Sequence, residues 1–197
     1  MPQNRSLETQ NLIRSKALEL FSQFGYNSTS VSDICNGAGI SKGAFYHHFP
    51  SKQDLFLDLL NHWLEHIDQQ IADVRKDSLS IPEAFGRLSI LVEQVLSEAG
   101  GRFPMFLEFW TQASRNPQIW QATIAPYRRY TELFSRMIEE GIAEGSIARV
   151  DSQAAAKTIV AVAVGMILQG ILDPAAANWN ELINTSLNQV LSIKEQS

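Results

Sequence analysis

Cysteine is nearly absent from this 197-residue chain. Cys35 stands alone, so no internal disulfide can form, and a reduced cytoplasm is the expected home. No strand signal, internal repeat or low-complexity run appears, which removes sandwiches, solenoids and disordered tails from consideration. The opening MPQNRSLETQ lacks an apolar run, so no signal peptide is expected. The longest apolar stretch, Thr158 to Leu172, is broken by Gly165 and Gln169 and is short for a membrane span, so no membrane partner is expected. Catalytic signatures are missing as well: there is no Ser-His-Asp order, P-loop or dinucleotide glycine motif. His62 and His66 have a metal-compatible spacing of four, yet no third ligand accompanies them, and an exposed or groove-lining pair is the commoner origin of that spacing. The expectation is a protein that is not an enzyme and holds no cofactor and no metal.

Basic charge is also scarce, with 16 Lys and Arg against 21 Asp and Glu for a net −5. The deficit is unevenly spread. Residues 1–52 carry Arg5, Arg14, Lys16, Lys42 and Lys52 against Glu8, Glu19 and Asp33, a local +2 that leaves −7 for the remainder. Any nucleic-acid contact belongs at the N-terminal end. Arg5, ahead of the first helix, is within reach of a phosphate or minor groove, although a lone terminal Arg is more often a solvated tail residue.

What is present is helix. At 45% hydrophobic residues the chain can bury a sizeable core. Ser6 to Phe24 reads as a first helix stopped by Gly25. Thr29 and Ser30 then read as N-caps of a short helix with Asp33 in its first turn, and Gly37 and Gly39 read as the punctuation of a tight turn. Ser41 caps a second short helix to about His47, stopped by Pro50. With Ile40 and Phe45 turned inward to complete a three-helix mini-core, Ser41, Lys42, Gly43, Ala44, Tyr46 and His47 share the outer side. A thin helix of that kind can enter a major groove.

The stretch TSVSDICNGAGISKGAFYHHFPSKQDLF closely resembles the DNA-binding signature of TetR-family transcriptional regulators. The resemblance is carried by Thr29, Val31, Ile34, Ala38-Gly39-Ile40, Ser41-Lys42-Gly43, Tyr46, His48-Phe49 and Ser51-Lys52, and covers about the first quarter of the chain. It implies base-edge approach by Lys42 and Gly43, with Ser41 and Ala44 beside them, and phosphate contacts from Thr29, Tyr46, His47 and Lys52. The double-stranded operator is expected to be palindromic.

Further along, a long helix from Ser51 to about Lys76 opens with the variant capping box Ser51-Lys-Gln-Asp54. Helices follow to about Glu98, over Phe103–Ser114, and from Asn116-Pro117 to about Glu144, where Pro126 is expected to kink or split the run. Asp151 caps a small-residue helix at 152–172, and Asn178-Trp-Asn-Glu181 caps a last one at 179–193. The fold class is therefore all-α with about nine or ten helices. Residues 1–51 form a three-helix helix-turn-helix domain, and 52–197 form a larger ligand-binding and dimerisation domain. The final two helices are richer in apolar surface than one small domain must cover, which suits an isologous four-helix homodimer interface; family resemblance agrees.

Aromatic residues crowd the middle of the second domain, and the commonest reason for that is an ordinary core. Interspersed with Glu108, Gln112 and Arg128, they also suit an apolar pocket. Trp63, Phe106, Phe109, Trp110, Trp120 and Tyr127 are the candidates for contacting a small effector that is hydrophobic, and aromatic or cationic within that description. The expected function is a sequence-specific repressor released from DNA by that ligand. Activation instead of repression, and a ligand-independent regulator with a purely structural aromatic core, remain the alternatives.

Overall fold

The computed structural model describes residues 2–99, 103–173 and 175–191, except for the side chains of 2–5, 93–99, 103–106, 109, 171 and 180. The described residues form nine α-helices and no strand. They are α1 (Pro2–Phe24), α2 (Val31–Ala38), α3 (Lys42–His48), α4 (Lys52–Asp77), α5 (Ile81–Ala99), α6 (Phe103–Ala113), α7 (Pro117–Glu144), α8 (Ser152–Leu172) and α9 (Trp179–Leu191). The side chain of Arg5 lies outside the described residues.

Local chemistry sets the short helices. Ser30 is the α2 N-cap: its Oγ accepts from the Asp33 N–H at 3.1 Å, while the Asp33 carboxylate accepts from the Ser30 N–H at 2.8 Å. Gly39 ends α2 in the left-handed region at φ 66°, where a side chain would be strained. Gly37, expected to share that task, is instead helical. A Cβ there would stand 2.8 Å from Cδ of Lys16, so this glycine lets the lysine stem of α1 lie flat across α2. Ser41 caps α3 by accepting from the Ala44 N–H, and Ser51 caps α4 by accepting from the Asp54 N–H, both at 3.1 Å.

The chain condenses into two compact units, Met1–Glu65 with Gly101–Thr123, and His66–Gly100 with Ile124–Ser197. In the first unit the expected mini-core is enlarged: Ile13, Phe21, Ile34 and Phe45 share their interior with Leu55, Phe56, Ala113 and Ile119. Phe21, Tyr26 and Phe56 meet ring to ring, with centroids 4.6–5.8 Å apart. Each large side chain removed from water contributes ~1.5–3 kcal/mol, so the returning segment around α6 is part of what holds the head together.

The second unit buries Ile81, Phe85, Met137, Ile138 and Leu191. Ser89 ties α5 to α9 by donating to Asn184 Oδ1 at 2.9 Å. Pro126 does not split α7, which runs unbroken to Glu144. The missing N–H forfeits one backbone bond, and the turns on either side carry the helix on. Helix α8 corrects the membrane expectation in one respect. Ser152–Gly170 is long and apolar enough to span a bilayer by length and composition, and only 28% of that window is buried. A helix that covers a partner subunit meets the same test.

Ser30→Ala should cost about 1 kcal/mol of stability through the lost cap. In the folded chain the Ser30 hydroxyl and backbone N–H hold the Asp33 carboxyl below its ordinary value. Its stabilisation is therefore present above the unfolded carboxyl's range and lost as pH falls through the folded-state value. An NMR titration of Asp33 should move back up in the alanine variant; an unchanged titration would break the assignment.

Candidate nucleic-acid interface

The α2–α3 hairpin presents one outward surface. Ser41, Lys42, Gly43, Tyr46 and His47 are exposed, with Tyr46 at 52%, while Phe45 is fully buried beneath them. Ala44 is half-buried at the margin. Gly43 is informative: a Cβ built there would meet nothing of the protein but Ser41 Oγ, at 3.7 Å. The fold leaves room for a side chain at a helical position where alanine would be the better helix former. Glycine at this position is not required by the described packing of the chain. His47 and His48 sit ring against ring at 5.2 Å in the last turn of α3.

Electrostatically the head is leaner than its +2 suggests. Arg14 grips Asp58 on α4 through two nitrogens, at 2.6 and 2.8 Å, and Lys16 pairs with Glu19 at 2.6 Å. The carboxylate partner raises the Arg14 pKa further. Lys42 is exposed and has no ion pair among the described residues.

Two expected phosphate ligands are turned inward. Thr29 is 2% exposed, and its hydroxyl donates to the Gly25 carbonyl at 2.9 Å and the Leu20 carbonyl at 3.3 Å. It buttresses the α1–α2 turn, which its place beside the true cap Ser30 concealed. Lys52 likewise points into the protein. Its Nζ donates to the carbonyls of Tyr26 at 2.7 Å and Thr29 at 2.8 Å and lies 4.1 Å from the centre of the Tyr26 ring. Burial pulls its pKa below the usual lysine value, against an opposing contribution from Glu108. Tyr26 itself titrates high, chiefly through burial and then through Asp54 and Glu108. Sequence reading passed over Tyr26 and Gln53, and took Glu108 only as a polar group among the aromatics, because nothing local marks a long-range partner.

The effector candidates do not gather in one unit. Trp63 packs at the edge of the first core, and Trp110 and Trp120 belong to the same unit but are 42% and 43% exposed. Tyr127 belongs to the second unit, half-buried. The side chains of Phe106 and Phe109 lie outside the described residues.

A helix-turn-helix with an open, glycine-bearing second helix, followed by a larger helical region, is what comparison with known proteins returns. Residues 13–59 match the family described as bacterial regulatory proteins, tetR family, and residues 86–192 match the C-terminal region of the BetI-type transcriptional repressors. The chain belongs to the TetR family of bacterial regulatory proteins. Its two parts are those of a ligand-responsive DNA-binding repressor, and the members it matches are transcriptional regulators, not enzymes. It is 28% identical over 148 residues to the regulator UidR of Escherichia coli K12, covering 74% of this chain and 72% of UidR. It is 42% identical over 90 residues to the uncharacterised regulator YuxN of Bacillus subtilis, a match spanning 45% of this chain and only 31% of YuxN. The same fold is seen in Salmonella enterica GusR, with TM-score 0.77, 24% identity, and coverage of 94% of this chain and 96% of the other. A putative transcriptional regulator from Saccharomonospora viridis, solved in complex with choline, has TM-score 0.79 at 24% identity, with 96% and 99% covered.

Gly43→Ala should raise stability by ~0.5–1 kcal/mol, since alanine is the better helix former, while weakening DNA binding. Thermal melts beside fluorescence-anisotropy titrations test the opposed signs. Lys52→Met should cost about 1–2 kcal/mol by taking the ammonium from the Thr29 carbonyl and leaving the Tyr26 carbonyl only the Thr29 N–H at 3.4 Å. A lysine that served phosphate alone would leave the melting temperature unchanged.

Proposed function

We propose that this chain is a cytoplasmic homodimeric repressor that reads a palindromic operator with α3 from each subunit and leaves it when a small hydrophobic ligand binds. The outward face of α3 carries the reading, with Lys42 free to donate to guanine O6 or N7 and Gly43 allowing close approach to a base edge. Tyr46 and His47 flank that face and serve as phosphate contacts. Ser41 and Ala44 line its near edge.

Dimerisation through α8 and α9 is supported by apolar surface that the second unit leaves uncovered, including Leu172 and Leu182. Two copies are what a reader of this class requires, since half-sites lie one DNA turn, ~34–36 Å, apart. For the ligand, the choline found in one relative of this fold supports extending the hydrophobic class to organic cations, which aromatic walls also bind. Release operates by population shift: the ligand prefers a dimer whose heads are wrongly spaced, and α4, continuous from Lys52 to Asp77, carries the change.

Lys42→Ala should remove discrimination between a selected operator and random duplex, a base contact being worth ~1–3 kcal/mol. Competition titrations measure it. An equal loss on both DNAs would reassign Lys42 to the phosphate backbone.

A further inference from the structure

Within the first unit, adjacent side chains at the start of α4 reach in two directions. Lys52 holds the α1–α2 turn at Tyr26 and Thr29. Gln53 holds the start of α7: its Nε2 donates to Gln118 Oε1 at 2.7 Å, and its Oε1 accepts from Asn116 Nδ2 at 2.9 Å. Both ends of this one amide are therefore engaged by the same corner. Asn116 is itself fixed, because its Oδ1 accepts from the N–H groups of Gln118 and Ile119, and its own N–H donates to the Gln112 carbonyl.

The corner also lies close to the turn. Glu108, on α6, is held by the Gln112 side chain at 2.8 Å, and its Oε2 lies 3.5 Å from where a Cβ of Gly25 would be. Gly25 stands at φ 82°, and the Thr29 hydroxyl donates to its carbonyl. One hydrogen-bonded path, through Gln53 and Lys52, thus runs from residues 116–118 to residues 26–29, the segment that enters the reading hairpin, and Glu108 lies beside its start.

We infer that Gln53 is a positioning residue that couples the α6–α7 corner to the DNA-reading hairpin through the first turn of α4. The inference rests on the repressor reading above and gives its pivot a fulcrum. A helix clamped at its first turn by neighbouring Lys52 and Gln53 cannot change angle without shifting the 25–29 turn and the corner together. Any effector contact that moves α6 or the start of α7 then reaches the hairpin without travelling the length of α4. By linkage, DNA on the hairpin must in turn be felt at the corner.

That reciprocity allows a test without knowing the effector. The probe is a duplex selected by this protein from a random 30-base-pair library, and the readout is amide hydrogen exchange over residues 25–30 and 112–119 with and without it. In the unmodified protein the duplex should slow exchange in both segments. In Gln53→Met, which lacks both amide bonds, and in Asn116→Ser, which keeps the cap but cannot reach Gln53, slowing at 25–30 should persist while that at 112–119 falls at least twofold. Gln53→Glu, which still accepts from Asn116, should restore it. Two variants on different helices guard against a local folding defect in either. Undiminished slowing at the corner in both variants, or none in the unmodified protein, overturns the coupling. A chain that selected no duplex at all would overturn the repressor reading itself, and the coupling with it.

Discussion

The reading head depends on one half-buried ammonium. Lys52 sits over the Tyr26 ring with two backbone carbonyls as acceptors, and without it the Thr29 carbonyl would lose its donor and the Tyr26 carbonyl would keep only the Thr29 N–H. That turn delivers α2, and α2 delivers α3. Each step is short and locally capped, so an error in the turn would pass undamped to the surface that meets DNA. A lysine suits the place, because a compact point charge with rotatable donors can serve two carbonyls and a ring face together.

Committing Lys52 inward, Arg14 to Asp58 and Lys16 to Glu19 changes the character of the interface. A head with few uncommitted cations neutralises few phosphates through side-chain charge and gains little sequence-independent affinity. More of its binding has to come from shape, backbone donors and base edges. An acidic chain with a modest reading head is then consistent with the proposed reading, in which weak attraction to DNA in general would make a specific contact from Lys42 count for more.

Much of this was legible in the sequence, and the limits have a physical origin. Helix ends were readable because caps act over three residues: Ser30 with Asp33, Ser41 with Ala44 and Asn178 with Glu181 all lie within one turn. The outward face of α3 was readable from the burial of Phe45 alone. What stayed hidden has long separation, such as Gln53 to Asn116, 63 residues apart. The partners of Thr29 and Lys52 within the chain were hidden for the same reason, since a motif says which residues recur together and not which atoms of its own chain each one meets. The packing of α6 on α1 was hidden too, because no periodicity announces a return.

The two glycines of the hairpin show how fold and function divide one motif. Gly39 is required by the chain itself, because its left-handed backbone would strain any side chain. Gly37 is required by a neighbour, the stem of Lys16. Gly43 is required by neither, for its backbone is helical and the space above it is open. A glycine that no described part of the chain requires, on an exposed face, is free to serve a partner that approaches from solvent. For a helix this thin, bearing an exposed phenol and an uncommitted ammonium on the same side, the partner we propose is the edge of a base pair.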